Sequence, residues 1–271
     1  LRAPRLLPMI RSALMKVMTA AAIKAGRGLK RDFGEVENLQ VSVKGPGDFV
    51  SAADKRAEKT LFEELSKARP GYGFIMEEGG TIEGSDKSHT WHIDPLDGTS
   101  NFLHGVPVFA VSVALERDGQ LVAGLVYNPA TDEMFVAEKG QGAYFNNRRM
   151  RVAARRSLAE SMVACGIPPL ARARDHESFK RELAAGMAKI GNIRRMGAAA
   201  MDLANVACGR FDGYWERGIN SWDVAAGIVL VREAGGFVSD LSGGSDMLTK
   251  GEICVGNEAI HRLLLDVMRK A

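Results

Sequence analysis

The chain has 271 residues, 46% of them hydrophobic and 25% charged, and its 36 Lys and Arg against 33 Asp and Glu leave a formal net charge of +3. That length buries a sizeable core in one large domain or two small ones, and the scattered basic residues argue against a nucleic-acid-binding face. Cys165, Cys208 and Cys254 are far apart with no C-x-x-C spacing, which excludes a sequence-local zinc or redox pair and reads as buried free thiols in a reducing cytoplasm.

The N-terminal stretch LRAPRLLPMIRSALMKVMTAAAIKAGRGLK has the basic start and alanine-rich patch of a signal peptide. Arg11, Lys16 and Lys24 interrupt any apolar centre, whereas Leu7, Ile10, Leu14, Val17 and Ala21 recur at helical spacing. The spacing predicts an amphipathic helix on a globular core, and no segment approaches the roughly 20 apolar residues of a membrane span. LQVSVK alternates as a strand and GPGD turns the chain. SAADKRAEKTLFEELSKARPG then reads as a helix with Ala53, Ala57, Leu61 and Leu65 on one face, ended by Pro70 and Gly71.

From Val106 to Val152 the chain is rich in Val and Phe, with turn signals at RDGQ, NPATD and FNNRR, which predicts an antiparallel sheet of hairpins. Beyond it, strands at SMVACGI, FDGYWE and EICVGN alternate with helices at DHESFKRELAAGMAKI, AAAMDLANVACG, WDVAAGIVLVREAGG and EAIHRLLLDVMRK. That order predicts a second, α/β-type layer. The expected organisation is an α+β half over residues 1–150 and an α/β half over 151–271, sharing one cleft as a single catalytic unit.

Acidic residues concentrate around WHIDPLDGTSNF. Pro95 fixes its own φ and holds Asp94 extended, so a tight turn brings Asp94 and Asp97 into one space. Carboxylates that close repel unless cations lie between them, and Mg²⁺ prefers such oxygen ligands while keeping several waters. A lone D-x-x-D is also the pattern of a capped, solvated turn. Here Gly98, Thr99 and Ser100 follow directly, and the start of a short helix at that point offers backbone N–H groups to an anion. Glu77 and Glu78 in YGFIMEEGG and Asp223 in GINSWDVAAG supply further acid.

Other chemistries find less support. His89, His92 and His104 have no zinc spacing, and His92 is expected on the strand face opposite Ile93. GGFVSDLSGG and GRGLK lack the G-x-G-x-x-G of a nucleotide cofactor site. MGAAA lacks the serine of G-x-S-x-G, and Cys165 has no evident base partner.

In order and spacing, DFVSAAD, the Glu pair, WHIDPLDGTSNF and GINSWDVAAG with EAGG resemble the inositol monophosphatase family, from the first helix almost to the C-terminus. GRFDGYWERG and RRMGAAAMDLA are similar to its bacterial branch, whose members are called extragenic suppressor proteins. The resemblance implies an α-β-α-β-α layered sandwich of the inositol monophosphatase and fructose-1,6-bisphosphatase type, usually a homodimer. The implied activity is Mg²⁺-dependent, lithium-sensitive hydrolysis of inositol 1-phosphate by metal-activated water.

Residue by residue, it implies that Glu77, Asp94 and the Leu96 carbonyl hold one metal, while Asp94, Asp97 and Asp223 hold a second, in a site of two or three ions. Thr99 would align the attacking water through a hydrogen bond to Asp54, making Thr99, Asp54 and Glu77 the catalytic set. Gly98 and Thr99 would donate N–H groups to phosphate, Ala199, Glu216 and Asp223 would meet the alcohol portion, and Lys44 would lie near the cleft mouth. Ser100 departs from a common second Thr without consequence. Glu78 is either a support behind the ligands or a solvated neighbour. Related branches hydrolyse fructose 1,6-bisphosphate, histidinol phosphate or adenosine 3′,5′-bisphosphate, but Glu216 suits a neutral polyol hydroxyl. Some members of the bacterial branch also bind RNA polymerase and RNA. The basic IGNIRRMG is a candidate for such contacts, and equally a sheet-edge or dimer-surface arginine pair.

Overall fold

The computed structural model describes residues 12–35, 41–45, 48–170 and 175–271, without the side chains of 41–45 and 48–51. Leu7, Ile10, the centre of GPGD and the Lys44 side chain therefore lie outside the described residues.

Helix α1 (Ala13–Phe33), the hairpin β1 (Val41–Gly45) and β2 (Asp48–Ser51), and helix α2 (Ala52–Ala68) come first. Next are β3 (Gly73–Met76), β4 (Gly80–Ile82), β5 (His89–Asp97) and the short helix α3 (Thr99–Leu103). The expected hairpins follow as β6 (Ala110–Arg117), β7 (Gln120–Asn128), β8 (Glu133–Glu138), β9 (Gly142–Phe145) and β10 (Arg148–Arg149). They extend an eight-stranded sheet in the order β10-β9-β8-β7-β6-β5-β3-β4. Asp118, Asp132, Asn146 and Asn147 take positive φ at its turns, the conformation that Asp and Asn tolerate best after glycine.

The rest of the chain forms β11 (Met162–Cys165), α4 (His176–Met187), β12 (Asn192–Arg194), α5 (Ala199–Ala207) and β13 (Gly213–Arg217). It closes with α6 (Ser221–Glu233), β14 (Phe237–Ser239), α7 (Met247–Lys250), β15 (Glu252–Gly256) and α8 (Glu258–Arg269). These strands make a five-stranded mixed sheet, order β12-β11-β13-β15-β14.

Three apolar clusters hold five layers together. The first joins α1 and α2 to one face of the large sheet through Met18, Leu61, Leu65, Trp91 and Ile93. The second fills the space between the sheets with α5 and α6, and the third seats α4 and α8 on the outer face of the small sheet around Trp215. The order is α-β-α-β-α. α6 is apolar on every side because both sheets cover it: Val224 to Val231 are all buried.

α2 buries the predicted Ala53, Ala57, Leu61 and Leu65. On α1 the buried stripe lies to one side of the predicted one: Met15, Met18, Ala22 and Ala25 are covered with Ala21, while Leu14 and Val17 are half-buried. Close approach favours the small side chains, since a Cβ on Gly26 would meet the Tyr127 ring at 2.6 Å. No helix among the described residues is long and apolar enough to cross a membrane.

Candidate active site

Strand β5 carries the acid motif and shows how its spacing works. In a regular strand, residues three apart face opposite ways, so Asp94 and Asp97 would diverge. Here Asp94 pairs with Ser112 and Asp97 with Ala110, so three steps on β5 match two on β6, the geometry of a β-bulge. The extra residue turns Asp97 back toward the side of Asp94. Asp94 Oδ1 accepts the Leu96 N–H at 2.9 Å, closing the turn around Pro95, and Leu96 sinks into the core with Ile93.

Gly98 then takes φ 88, and a Cβ there would lie 2.8 Å from the Val108 carbonyl, so both conformation and space require glycine. α3 starts at Thr99, whose hydroxyl donates to the Leu96 carbonyl at 3.0 Å. The bulge places the Leu96 oxygen under the first turn of α3, within reach of that hydroxyl.

The other acids arrive from separate elements. Parallel pairing of β3 with β5 sets Met76 beside Ile93, so Glu77 emerges next to Asp94, and its N–H donates to the Ile93 carbonyl at 3.3 Å. Asp54, in the first turn of α2, offers an oxygen that lies within 4.8 Å of one from Glu77 and one from Glu78. Glu78 thus stands at ligand distance from two predicted site residues, and its N–H is held by Glu58 Oε2 at 2.8 Å. Asp223 is the third residue of α6, in a capping box where Asn220 N–H donates to Asp223 Oδ2 at 2.6 Å.

Asp97 also ties β5 to α5. Its carboxylate accepts from Ala199 N–H at 3.2 Å and Ala200 N–H at 2.7 Å, at the positive end of α5. The Ala199 N–H is therefore occupied by Asp97, while the residue itself lines a cleft of ≈ 400 Å³ together with Glu77, Gly98, Thr99, Glu216 and Asp223. On the far wall, the Tyr214 hydroxyl donates to Glu216 Oε2. Glu216 needs Gly166 opposite it, because a Cβ at that position would come within 1.8 Å of its carboxyl carbon.

These acids oppose one another. Burial, followed by the charges of Glu77, Asp97, Asp223 and Asp54, pushes the Asp94 carboxyl well above the usual carboxylate range. Burial lifts Asp97 to about 7 against the two helix N–H bonds, and lifts Glu216 to about 7 against the Tyr214 bond, with Asp223 adding to the rise. A set of hard oxygen donors that cannot all stay ionised unaided fits divalent cations, whose charge would reverse the shifts. The acids here can therefore hold a metal.

The histidines are engaged elsewhere. Buried His92 faces Ser221 Oγ at 3.2 Å and Glu116 Oε2 at 3.0 Å, linking β5, β6 and the start of α6 behind the acids. His89 bonds Asp86 and stacks on Tyr72, and His104 caps α3. Burial pushes the Cys165 thiol up to about 12, as an inert core thiol requires. One acid of the cleft wall is absent from the expected site: Asp202 on α5, which lines the cleft together with Arg195 just after β12. The signal for Asp202 is present in the sequence, the single charged residue of AAAMDLANVACG.

Comparison with known proteins agrees with this architecture. The model of the inositol monophosphatase family matches residues 11–271. An inositol-1-monophosphatase of Mesorhizobium japonicum is 60% identical over 97% of this chain and 98% of its own length. The Nus factor SuhB of Escherichia coli is 39% identical, with 94% of this chain and 96% of that protein covered. Among solved structures, the extragenic suppressor protein suhB of Bartonella henselae superposes with a TM-score of 0.93 at 56% identity, covering 96% of this chain and all of that one.

Proposed function

The chain belongs to the inositol monophosphatase family, and from that premise we propose that it hydrolyses inositol 1-phosphate to inositol and phosphate with Mg²⁺ as cofactor. The observation that carries the reading is the meeting of Asp94 with the charges of Glu77, Asp97, Asp223 and Asp54 beside the Gly98 turn.

Two or three Mg²⁺ ions would be held by Glu77, Asp94 and the Leu96 carbonyl, by Asp94, Asp97 and Asp223, and by Glu78 beside Asp54 and Glu77. Bound there, the ions supply positive charge to the phosphate oxygens and lower the pKa of water. The Thr99 hydroxyl has its hydrogen committed to Leu96, so it faces an incoming water as an acceptor and turns a lone pair of that water toward phosphorus. N–H groups of Gly98 and Thr99 receive the phosphate, where their dipoles need no reorganisation as charge develops. Glu216 and Asp223 hold the hydroxyls of the alcohol against the wall that Ala199 lines, and Lys44 draws the anion to the mouth. We place this activity in the cytoplasm, in a homodimer whose residues 1–150 and 151–271 act as one catalytic unit.

The test is phosphate release from inositol 1-phosphate, fructose 1,6-bisphosphate, histidinol phosphate and adenosine 3′,5′-bisphosphate with Mg²⁺ titrated. The reading requires inositol 1-phosphate to be fastest and lithium to inhibit. A faster bisphosphate would overturn the substrate.

A second reading, association with RNA polymerase, draws on exposed Arg194 at the edge strand of the small sheet and on the relatives named Nus factor. Retention of polymerase on the immobilised protein at moderate salt tests it, and none retained counts against it.

A further inference from the structure

One turn into α5 from Ala199, Asp202 lies in the cleft wall and is 1% exposed. Its Oδ1 has no hydrogen-bond partner among the described residues. Glu216, the neighbouring acid, has the Tyr214 hydroxyl, but nothing comparable serves Asp202. Burial and then the charge of Glu216 hold the Asp202 carboxyl well above the ordinary carboxylate range, and Arg195 at the exposed mouth opposes that rise. α5 is buried along its length, so an alanine or leucine would have satisfied its packing. A buried carboxyl oxygen without a partner costs stability, and such a group in a ligand cleft calls for a partner that arrives with the ligand.

Asp202 and Glu216 come from different elements, α5 and β13, and both line the same cleft as Thr99. A flat aromatic or a simple alkyl alcohol would leave the Asp202 oxygen unmet. An alcohol bearing several hydroxyls meets both acids at once, one hydroxyl on each.

We propose that Asp202 is a specificity-determining residue: its carboxyl group takes a second hydroxyl of the substrate's alcohol portion, beside the one met by Glu216, and so selects polyhydroxylated alcohol phosphates. Phosphate esters lacking hydroxyls bind with the acid unpaired and are disfavoured. The inference rests on the phosphatase reading above and adds to it a residue that selects for the hydroxyls of the substrate.

The experiment compares kcat/KM for inositol 1-phosphate with that for p-nitrophenyl phosphate in the full chain with Mg²⁺, for wild type, Asp202→Ala and Asp202→Asn. The expected ratio falls roughly 10- to 100-fold in Asp202→Ala, mainly through KM for inositol 1-phosphate, and recovers in part in Asp202→Asn, which keeps a polar group of the same shape. Thermal melting of Asp202→Ala should be no lower than wild type, since an unpartnered acid has been removed. An unchanged ratio in Asp202→Ala, as when water alone fills the space, overturns the inference, as does an equal fall on both substrates. If wild type hydrolyses p-nitrophenyl phosphate but not inositol 1-phosphate, the parent reading fails and this one with it. A wild-type preference that survives in Asp202→Ala removes this one alone.

Discussion

Replacing Glu216 by Gln should stabilise the metal-free protein, and by an amount that depends on pH. Burial raises this carboxyl from its ordinary 4.5 to about 7, with Asp223 adding to the rise and the Tyr214 bond and Arg195 opposing it. A group whose folded pKa is raised contributes its full stability below the unfolded value and loses it as pH climbs through the folded value. Wild type therefore weakens between roughly pH 4.5 and 7 as the buried acid is forced to ionise, to a limit of about 3 kcal/mol for this one group. Glutamine keeps an oxygen for the Tyr214 hydroxyl and carries no charge to desolvate. In a chelator-containing buffer the melting temperature of Glu216→Gln should match wild type near pH 4.5 and exceed it by roughly 6–10 °C at pH 8. The same variant should bind inositol 1-phosphate less well, because a group tuned for substrate destabilises the empty fold. Equal melting temperatures at pH 8, or a gap that is largest at low pH, would refute the electrostatic account of this wall.

Other perturbations probe the supports of the cleft. Gly166→Ala would drive a methyl into the Glu216 carboxyl, so KM for inositol 1-phosphate should rise at least tenfold; steady-state kinetics with an unchanged KM would count against the contact. His92→Ala leaves Ser221 and Glu116 without their ring partner and should cost about 2–3 kcal/mol in urea unfolding. An unaltered midpoint would show that the link between β5 and α6 carries no stability. Because Asp97 sits at about 7 without metal, the Mg²⁺ concentration for half-maximal activity should fall as pH rises from 6 to 8, by up to roughly tenfold per unit for each proton released; a flat profile would contradict the protonated resting state.

Much of this was legible because it is written in local pattern. Alternation and turn residues marked the hairpins from β6 to β10, and the 3.6-residue repeat of Ala53, Ala57, Leu61 and Leu65 marked α2. The order of the layers came through resemblance to a family rather than from periodicity. What stayed hidden depends on register. The bulge that turns Asp97 toward Asp94 is a relation between β5 and β6, and no single strand encodes it. The Leu96 carbonyl that meets the Thr99 hydroxyl is set in place by the same turn. Glu78 was undecided because only the position of Asp54 at the start of α2 shows which way the acid faces. Asp202 sits in a segment legible only as a helix, because its value lies in the unmatched oxygen, which appears only when its neighbours are in place.

Phosphatase chemistry in this cleft depends on the acids around Asp94 holding a metal. That dependence is tested most directly by measuring Mg²⁺-dependent phosphate release from inositol 1-phosphate by wild type and Asp94→Asn, with circular dichroism confirming that both are folded. Wild type should show saturable, Mg²⁺-dependent turnover and the variant a loss on the order of 10³-fold, since the charge supplied by a metal contributes several kcal/mol to the transition state. Full activity in a folded Asp94→Asn, or wild-type turnover indifferent to Mg²⁺, would contradict it.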